Sequence, residues 1–410
     1  MTRTIVYNIK MLYTPHHQPP VRKSQLGEIK TIPNAYIVIE DGKFIAIGEH
    51  DYQAYWSDSC LLIDAQQKIC LPGFIDAHTH LVHAGSREEE FALLRKGVPY
   101  LDILQAGGGI LKTVEATRKA SIEELYLQAK QSLDRMMAYG VVAVEAKSGY
   151  GLRLEDELKQ LHVAYLLHKD HPVWIFSTYM GAHAYPPEYK NNHQGYIDSL
   201  LQDLVKIKQS KLAQAVDVFC EEGVFDIEET KQILSKAKEL GFQVKLHADE
   251  IQAMGGAKLG VLYDAVSVDH LMATADEDIA ALGQSNTIAN ILPGTSFFLG
   301  KPYANARKMI DEGVAISIAS DYNPGSCPTE NFQLIMQLAA AFLHMQEEEI
   351  LHAVTINSAF QLGLADQKGS IEVGKDADFL LLDIPNLSYL FYHFGINHVS
   401  EVWIAGKRVI

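Results

Sequence analysis

The stretch Ile69-Cys-Leu-Pro-Gly-Phe-Ile-Asp-Ala-His-Thr-His80 ends an apolar run with two histidines that are one residue apart. Such a run predicts a buried strand, and its alternating side chains put His78 and His80 on the same face. Neutral imidazole is the commonest protein ligand for a divalent transition metal, so the pair forms half of a metal site. A lone buried histidine is more often a hydrogen-bonded core residue, but the spacing and the preceding Pro-Gly-Phe-Ile-Asp favour the metal interpretation.

Apolar, strand-like runs alternate with helix-like segments through the middle of the chain, which favours parallel βα units. Eight such runs lie at 69–80, 141–148, 173–183, 216–225, 243–250, 265–270, 287–295 and 314–321. Ser121-Ile-Glu-Glu124 is a capping box that begins a helix ending near Gly140, and Asp226 caps another helix that ends before Gly241. The economical architecture is an α/β fold with a (β/α)8 TIM-like barrel, and an open doubly wound sheet is the alternative.

The two ends of the chain consist of short, alternating β-favouring runs. Near the start, 35–48 predicts a hairpin with Asp41 and Gly42 in its tight turn. Near the finish, 370–383 and 399–409 have the same pattern. We therefore expect a small composite β-domain built from both termini. The predicted ranges are 1–65 and 366–410 for this β-domain and 66–365 for the barrel.

The composition is that of an ordinary globular protein, with 48% hydrophobic and 21% charged residues. A net charge of −16 argues against binding to nucleic acid or to an anionic membrane. The scattered cysteines form no C-x-x-C pair, which suits a reducing cytosol. No signal peptide or membrane-spanning run is recognisable, so we expect a cytoplasmic protein. The sequence does not fix the oligomeric state, and a homodimer is the candidate assembly for a chain of this size.

Histidines and carboxylates recur where the predicted barrel strands end, which is where (β/α)8 barrels collect their chemistry. These residues are His78, His80, His183, His247, Glu250, His270 and Asp321. Buried ionisable groups cost several kcal/mol unless they are paired or bound to metal. A hydrolytic metal site needs about three or four protein ligands and an open position for water. The ligands predicted from this set are His78, His80, His247 and Asp321.

Four further side chains are candidates for catalysis or substrate binding. Glu250, three residues after His247, is placed to shuttle protons for a water whose pKa the metal lowers to about 7. His270 is a fifth ligand or a hydrogen-bond donor to the attacked oxygen, and we prefer the donor role. His183 is a candidate polariser of a substrate carbonyl, with a structural histidine as the alternative. Arg87 is placed to receive a substrate carboxylate, although an arginine followed by three glutamates is more often a solvated surface charge.

Three other features have simpler interpretations than catalysis. Gly107-Gly-Gly109 lacks the Gly-Lys-Ser/Thr of a phosphate-binding loop, so a flexible loop over the site is expected. Lys147 is a candidate for carboxylation between two metals, but the mononuclear ligand set favours a structural or supporting role. His83 falls outside the same-face spacing of His78 and His80 and is expected in a loop.

The chain resembles the amidohydrolase superfamily in Pro72-Gly-Phe-Ile-Asp-Ala-His-Thr-His80 together with His247, His270 and Asp321. More narrowly, six blocks that extend across most of the chain are similar to those of the imidazolonepropionase family. The blocks are 78–91, 107–114, 145–152, 181–189, 247–250 and 320–326. One departure is His83, where relatives usually carry an aromatic or apolar residue.

The resemblance implies hydrolytic ring opening of the cyclic amide 4-imidazolone-5-propanoate to N-formimidoyl-L-glutamate in histidine degradation. It also implies one zinc or iron ion per chain, bound by the same four ligands. The side chains that it places against substrate or product are Arg87, Tyr150, His183, Glu250, Asn323, Gly325 and Ser326.

In the expected mechanism, Glu250 takes a proton from the attacking water and passes it to the departing ring nitrogen. His183 or His270 stabilises the oxyanion together with the metal, and Asp321 completes the catalytic set. One rival is a deaminase of the same superfamily, which attacks an amidine carbon and releases ammonia. Another is a catalytically inactive scaffold with the same barrel, for which metal analysis would find no ion.

Overall fold

The computed structural model describes residues 3–98 and 108–410, so Gly107, with which the predicted glycine loop begins, lies outside the described residues. In chain order the strands are β1 (Thr4–Thr14), β2 (Lys30–Glu40), β3 (Lys43–Glu49), β4 (Leu61–Asp64), β5 (Ile69–Pro72), β6 (Phe74–Asp76), β7 (Val141–Lys147), β8 (Trp174–Ala182), β9 (Ala215–Cys220), β10 (Gln243–Ala248), β11 (Ser267–His270), β12 (Ile288–Ile291), β13 (Ile316–Ile318), β14 (Phe379–Leu382), β15 (Val399–Ile404) and β16 (Lys407–Arg408).

Helices follow most of the barrel strands. They lie at Glu88–Arg95, Ile110–Lys119, Ile122–Ala138, Leu154–Asp170, His193–Ser210, Ile227–Glu239, Gly256–Leu262, Asp276–Gly283, Pro293–Leu299, Ala306–Asp311, Phe332–Phe342, Glu347–Ala353, Ile356–Gln361 and Leu387–Tyr392. Among the described residues, no helix is both long and apolar enough to cross a membrane.

Strands β6 to β13 form one parallel sheet in which neighbours in the sequence are neighbours in space. The sheet closes just beyond the ends of β6 and β13, where Thr79 and Tyr322 form a parallel bridge. At this closure the backbone N–H of Asp321 donates to the His78 carbonyl at 3.1 Å, and that of His80 donates to the Tyr322 carbonyl at 2.8 Å. The predicted barrel is confirmed, and its closure brings two predicted metal-ligand segments side by side.

The single strand predicted over 69–80 is wrong, because Gly73 divides it into two. β5 pairs with β1 and β14 in the sheet of the termini, whereas β6 pairs with β7 in the barrel. The Gly73 N–H donates to the Asp378 carbonyl at 3.1 Å, and a side chain at this position would collide with Val142. His78 and His80 therefore follow the first barrel strand instead of forming its last residues.

The run predicted as a strand over 287–295 is also too long. β12 ends at Ile291, and Pro293 begins a helix. Proline suits the first position of a helix, because its fixed φ is already helical and it lacks an N–H that would remain unpaired there.

Both predicted helix caps are present. The Ser121 side chain accepts from the Glu124 N–H, and that of Asp226 accepts from the Glu229 N–H, each within a reciprocal capping box. Gly140 and Gly241 follow these helices with φ of 97° and 74°. Only glycine adopts this region without strain, which explains why the helices end here.

The second sheet is built from both ends of the chain, in the order β16-β15-β14-β5-β1-β2-β3 with β4 beside β1. Asp41 and Gly42 join β2 to β3 with positive φ of 52° and 78°, as a type I′ hairpin turn requires. The additional β-sheet from the termini is thus confirmed. The domain ranges stay a prediction, and β5 belongs to this sheet although it falls inside the range predicted for the barrel.

Candidate active site

The polar residues predicted at the strand ends meet at one end of the barrel, and several have unusual backbone. Asp249, His270 and Asp321 have positive φ of 50°, 80° and 56°. This left-handed region is strained for residues other than glycine and persists only where the surroundings enforce it. Such strain concentrates at active sites, so this end of the barrel is the candidate site.

Four buried imidazoles form the centre of the site: His78, His80, His247 and His270. The His78 ring centroid lies 5.5 Å from that of His80, 4.6 Å from that of His247 and 5.7 Å from that of His270. One carboxylate oxygen of Asp321 lies 3.4 Å from His78 Nε2 and 3.7 Å from His80 Nε2. The structure therefore brings the four predicted ligands together and adds His270 to the cluster.

Buried carboxylates orient two of these imidazoles. His78 donates from Nδ1 to Asp269 at 2.6 Å, and His247 donates from Nδ1 to Asp217 at 3.2 Å. Both rings therefore direct Nε2 into the cluster. Carboxylate partners of this kind fix the tautomer and orientation of metal-binding histidines.

The site fits a divalent transition metal. The Nε2 atoms of His78 and His247 are buried and have no hydrogen-bond partner among the described residues. An unsatisfied buried polar atom costs about 1–3 kcal/mol, a cost that a coordinated cation would remove. Ligand atoms lie within 4.8 Å of one another in three sets that share His78: one adds His80 and Asp321, another adds His247 and His270, and the third adds Glu145 and Asp269.

Asp321 is held by two hydroxyl groups as well as facing the histidines. Thr295 Oγ1 donates to its second carboxylate oxygen at 2.6 Å, and Ser326 Oγ donates to the same oxygen at 3.2 Å. Burial raises the pKa of Asp321, but the interaction with His78, whose Nε2 lies 3.4 Å away, and the charges of the other histidines outweigh burial and hold this pKa below its usual value. The side chain is therefore anionic, which suits a position beside a metal cation.

Glu250 lies beside this cluster, two residues after the end of β10. Its carboxylate is 3.7 Å from His270 Nε2, and its backbone N–H donates to Glu221 at 3.0 Å. Burial raises the pKa of Glu250, and the charge of Asp321 raises it further, while His270 acts in the opposite direction. A carboxyl with a raised pKa suits proton transfer near neutral pH.

His183 follows β8 and stacks on His80, with ring centroids 4.9 Å apart. Its Nδ1–H donates to the Gly149 carbonyl at 2.9 Å. Burial lowers the pKa of His183 to about 4, so the ring is neutral near pH 7. A neutral imidazole that donates from Nδ1 has only a lone pair on Nε2, so His183 offers the site a hydrogen-bond acceptor.

Arg87 and Tyr150 border the cluster on one side. Arg87 donates from Nε to Thr113 Oγ1 at 2.9 Å, and among the described residues this is the hydrogen bond that its guanidinium forms. A side chain at Gly325 would collide with this guanidinium, so the absence of one makes room for it. The Tyr150 ring lies 5.5 Å from the His80 ring and 5.4 Å from the His183 ring.

Asn323 has a structural role in the loop that the resemblance places against the substrate. Its Oδ1 accepts from the N–H groups of Gly325 and Ser326, each at 2.8 Å. Its Nδ2 donates to the Asp321 carbonyl at 2.7 Å. The side chain thus shapes the loop beside Asp321 and sets the position of Ser326.

Sequence reasoning missed that the loop residue His83 forms part of the site wall. The residue is buried, and its ring lies 5.6 Å from that of Tyr322 and 6.2 Å from that of Tyr150. Its Nδ1–H donates to the His80 carbonyl at 2.9 Å. The available signal was its distance of three residues from a predicted ligand.

Sequence reasoning also missed a set of buried charged side chains on the barrel axis: Glu145, Lys147, Asp217, Lys245 and Asp269. We refer to them as the axial cluster. Lys147, for which the sequence favours a structural or supporting role, forms ion pairs inside it. The available signal was charge at alternate positions of apolar strands, as in Glu145-x-Lys147 and Lys245-x-His247.

Comparison with known proteins identifies the family. The model of the amidohydrolase family matches residues 69–409. A protein named imidazolonepropionase from Fusobacterium nucleatum is 49% identical over 99% of this chain and 98% of its own length. Another of the same name, from Alkaliphilus oremlandii, is 48% identical over 99% of this chain and 97% of its own length.

Solved structures of lower identity share the fold. Escherichia coli guanine deaminase matches all of this chain and 99% of its own, with a TM-score of 0.76 at 14% identity. An adenosine deaminase from Xanthomonas campestris, solved with bound zinc, matches 99% of this chain and 92% of its own, with a TM-score of 0.72 at 17% identity. Structural similarity at 14–17% identity shows the fold alone. The full-length matches near 48% identity show which family the chain belongs to. The chain belongs to the amidohydrolase family and, within it, to the imidazolonepropionases.

Proposed function

We propose that this chain hydrolyses the cyclic amide of 4-imidazolone-5-propanoate to N-formimidoyl-L-glutamate in histidine degradation. The observation that carries the proposal is 48–49% identity over 99% of the chain to proteins named imidazolonepropionase. The cluster of imidazoles and carboxylates at the barrel mouth supplies the chemistry that such a hydrolysis needs.

For the cofactor we infer one zinc or iron(II) ion per chain, because both metals accept sets of histidine and carboxylate ligands. The ligands we assign are His78, His80, His247 and Asp321. Support comes from the buried, unpartnered Nε2 atoms of His78 and His247 among the described residues. When bound, the ion would act as a Lewis acid that polarises a carbonyl and acidifies water.

Glu250 is the proton carrier in this proposal. The attacking water gives its proton to the Glu250 carboxylate, and the ring nitrogen takes that proton as the C–N bond breaks. Burial and the nearby charge of Asp321 support the role, since both raise the pKa of Glu250. The Glu221 carboxylate fixes the start of this loop by accepting from the backbone N–H groups of Glu250 and Ile251.

The two remaining histidines take different roles. His183 directs a lone pair into the site, because its Nδ1–H is used by the Gly149 carbonyl. It therefore accepts from an N–H of the imidazolone ring, and this differs from the carbonyl polariser expected from the sequence. His270 lies 3.7 Å from the Glu250 carboxylate and is the histidine that we assign as donor to the oxyanion.

Arg87, Tyr150 and the loop from Asn323 to Ser326 anchor the propionate. A guanidinium pairs with a carboxylate through two parallel hydrogen bonds, which fixes orientation as well as supplying affinity. The contact between Arg87 and Gly325 supports this arrangement, because it places the cation against the loop. An analogue without the carboxylate would leave Arg87 unpaired, so the site should reject it.

The deciding experiment adds the imidazolone substrate to purified protein, with and without prior chelation, and identifies the product by mass spectrometry. We expect N-formimidoyl-L-glutamate without release of ammonia, and restoration of activity when zinc or iron(II) is returned. Ammonia as the product would indicate a deaminase instead. Protein that contains no metal and gives no product would indicate an inactive scaffold. Cytoplasmic location and a homodimeric state stay predictions from the sequence.

A further inference from the structure

The axial cluster lies on the barrel axis below the metal site, and its side chains are fully buried. Barrels of this type more often fill their axis with branched apolar residues. Each buried ion costs several kcal/mol unless it is well paired, so five of them together call for a functional explanation.

Lys147 is the point at which the contacts of the axial cluster converge. Its Nζ lies 2.5 Å from Asp217, 3.0 Å from Glu145 and 3.5 Å from Asp269. An ammonium group has three N–H donors, so a single lysine can serve three carboxylates. Burial lowers the pKa of Lys147, but the charges of the three carboxylates outweigh burial and raise this pKa above its usual value.

Two of these three carboxylates are the ones that orient metal-binding imidazoles. Asp269 accepts from His78 Nδ1 at 2.6 Å, and Asp217 accepts from His247 Nδ1 at 3.2 Å. Among the ion pairs of the described residues, Lys147 is the lysine that contacts both carboxylates. It therefore links two imidazoles that come from opposite parts of the barrel sequence.

We propose that Lys147 is a positioning residue for the metal site: by joining Asp217 to Asp269, it holds His247 and His78 so that both Nε2 atoms face one cation. The inference rests on the proposed function only in requiring that the site binds a metal. Without Lys147, the two carboxylates lose their common partner, and each imidazole can rotate independently.

Lys245 provides a matched control within the same cluster. It is equally buried, and its Nζ lies 2.5 Å from Glu145 and donates to the Ala77 carbonyl at 3.2 Å. Its charge acts on Asp269 through space, but among the described residues the ion pairs that Asp217 and Asp269 form with lysine are both with Lys147. Replacing either lysine by methionine removes one buried charge of the same size, so the two variants should lose similar stability but differ in metal binding.

The test compares Lys147→Met and Lys245→Met by zinc titration against a competing chelator and by the visible spectrum of the Co²⁺-loaded proteins. We expect zinc affinity to fall roughly 10- to 100-fold in Lys147→Met, the range for loss of groups that orient metal ligands, and much less in Lys245→Met. The Co²⁺ spectrum should shift in the first variant and not in the second. Urea unfolding of both metal-free proteins reports the shared structural cost.

A double-mutant cycle with Asp217→Asn tests the route of the effect. If Lys147 acts through Asp217, the loss of zinc affinity in the double variant will be smaller than the sum of the two single losses. Equal losses in the two lysine variants, or strictly additive losses in the cycle, would overturn the proposal. Should Lys147→Met fail to fold, Lys147→Gln takes its place, because its shorter, uncharged side chain forms no ion pair with Asp217 or Asp269. Wild-type zinc affinity in that variant would overturn the proposal equally.

The wild-type protein separates this inference from the proposed function. A wild type that binds zinc and forms the expected product supports the function even when Lys147→Met binds zinc normally, and then only the positioning role is wrong. A wild type that binds no metal overturns both.

Discussion

The protein has two buried interiors that follow opposite rules. The core of the sheet built from the termini consists of apolar side chains such as Phe44, Phe379 and Trp403. The barrel axis instead holds the axial cluster, with Lys147 between Asp217 and Asp269. Burying apolar surface stabilises a fold directly, whereas burying ions at best recovers their desolvation cost. We infer from this contrast that the sheet of the termini stabilises the fold, whereas the buried charges of the barrel axis position the side chains of the site.

The largest expected effect separates proton transfer from metal binding. Glu250→Gln keeps the shape of the side chain but cannot carry a proton, so kcat should fall about 10²- to 10⁴-fold, the usual contribution of general acid–base catalysis. Bound metal, measured by elemental analysis, should stay at the wild-type content. Glu222→Gln, an exposed carboxamide substitution in the loop after β9, is the control. Wild-type turnover in Glu250→Gln would show that another group moves the proton.

The next effect tests the apolar interior. Phe379 stacks on Trp403 with ring centroids 5.2 Å apart, so Phe379→Ala should lower the free energy of unfolding by about 3–5 kcal/mol through the cavity that it leaves. Zinc affinity of the folded fraction should be unchanged. Phe394→Ala makes the same truncation at a side chain that is 72% exposed and should cost little. Loss of zinc affinity in the folded Phe379→Ala protein would contradict the proposed division between the two interiors.

A smaller effect is expected when one charge of the polar interior is removed. Asp269→Asn weakens the hydrogen bond that orients His78, and zinc affinity should drop roughly 10- to 100-fold by competition titration. The control is Asp264→Asn, at a side chain that is 88% exposed. Unchanged zinc affinity in the Asp269 variant would mean that the barrel closure alone fixes His78.

The smallest effect concerns a helix on the outside of the barrel. Ser121→Ala removes a side-chain cap and should cost about 1 kcal/mol in urea unfolding, with unchanged kcat and zinc affinity. Ser121→Asp retains an acceptor at the cap and should restore most of the lost stability. A change in zinc affinity in Ser121→Ala would show that metal binding follows the overall stability of the protein. That result would contradict the proposed division between the two interiors.

Much of the fold could be predicted from the sequence, because short local motifs mark where its helices and turns begin. Capping residues such as Ser121 and Asp226, and the Asp41-Gly42 turn, act within a few residues and are independent of tertiary context. The division of 69–80 into two strands could not be predicted in this way. Gly73 separates two strands because Asp378 and Val142, which are distant in the sequence, contact it there.

The residues of the candidate site could be predicted from the sequence where an uncommon pattern marks them, and they could not be predicted where the pattern is ordinary. The sequence predicts His78-x-His80 and His247 as candidate ligands because clustered histidines at strand ends have few structural uses. The ion pair between Lys147 and Asp217 could not be predicted, because the two residues are distant in the sequence and only the closed barrel brings them together. The acceptor role of His183 depends on a single hydrogen bond to the Gly149 carbonyl, which sequence reasoning does not predict.

Gly73 is the sole residue between β5, in the sheet of the termini, and β6, in the barrel. β14 pairs with β5 and therefore holds the beginning of the segment that leads to His78. Trimming the C-terminal tail, or fusing a bulky tag that displaces β14, should therefore impair the enzyme from a distance. We expect that the barrel produced without the sheet of the termini will not form an active enzyme, so both chain ends must be kept.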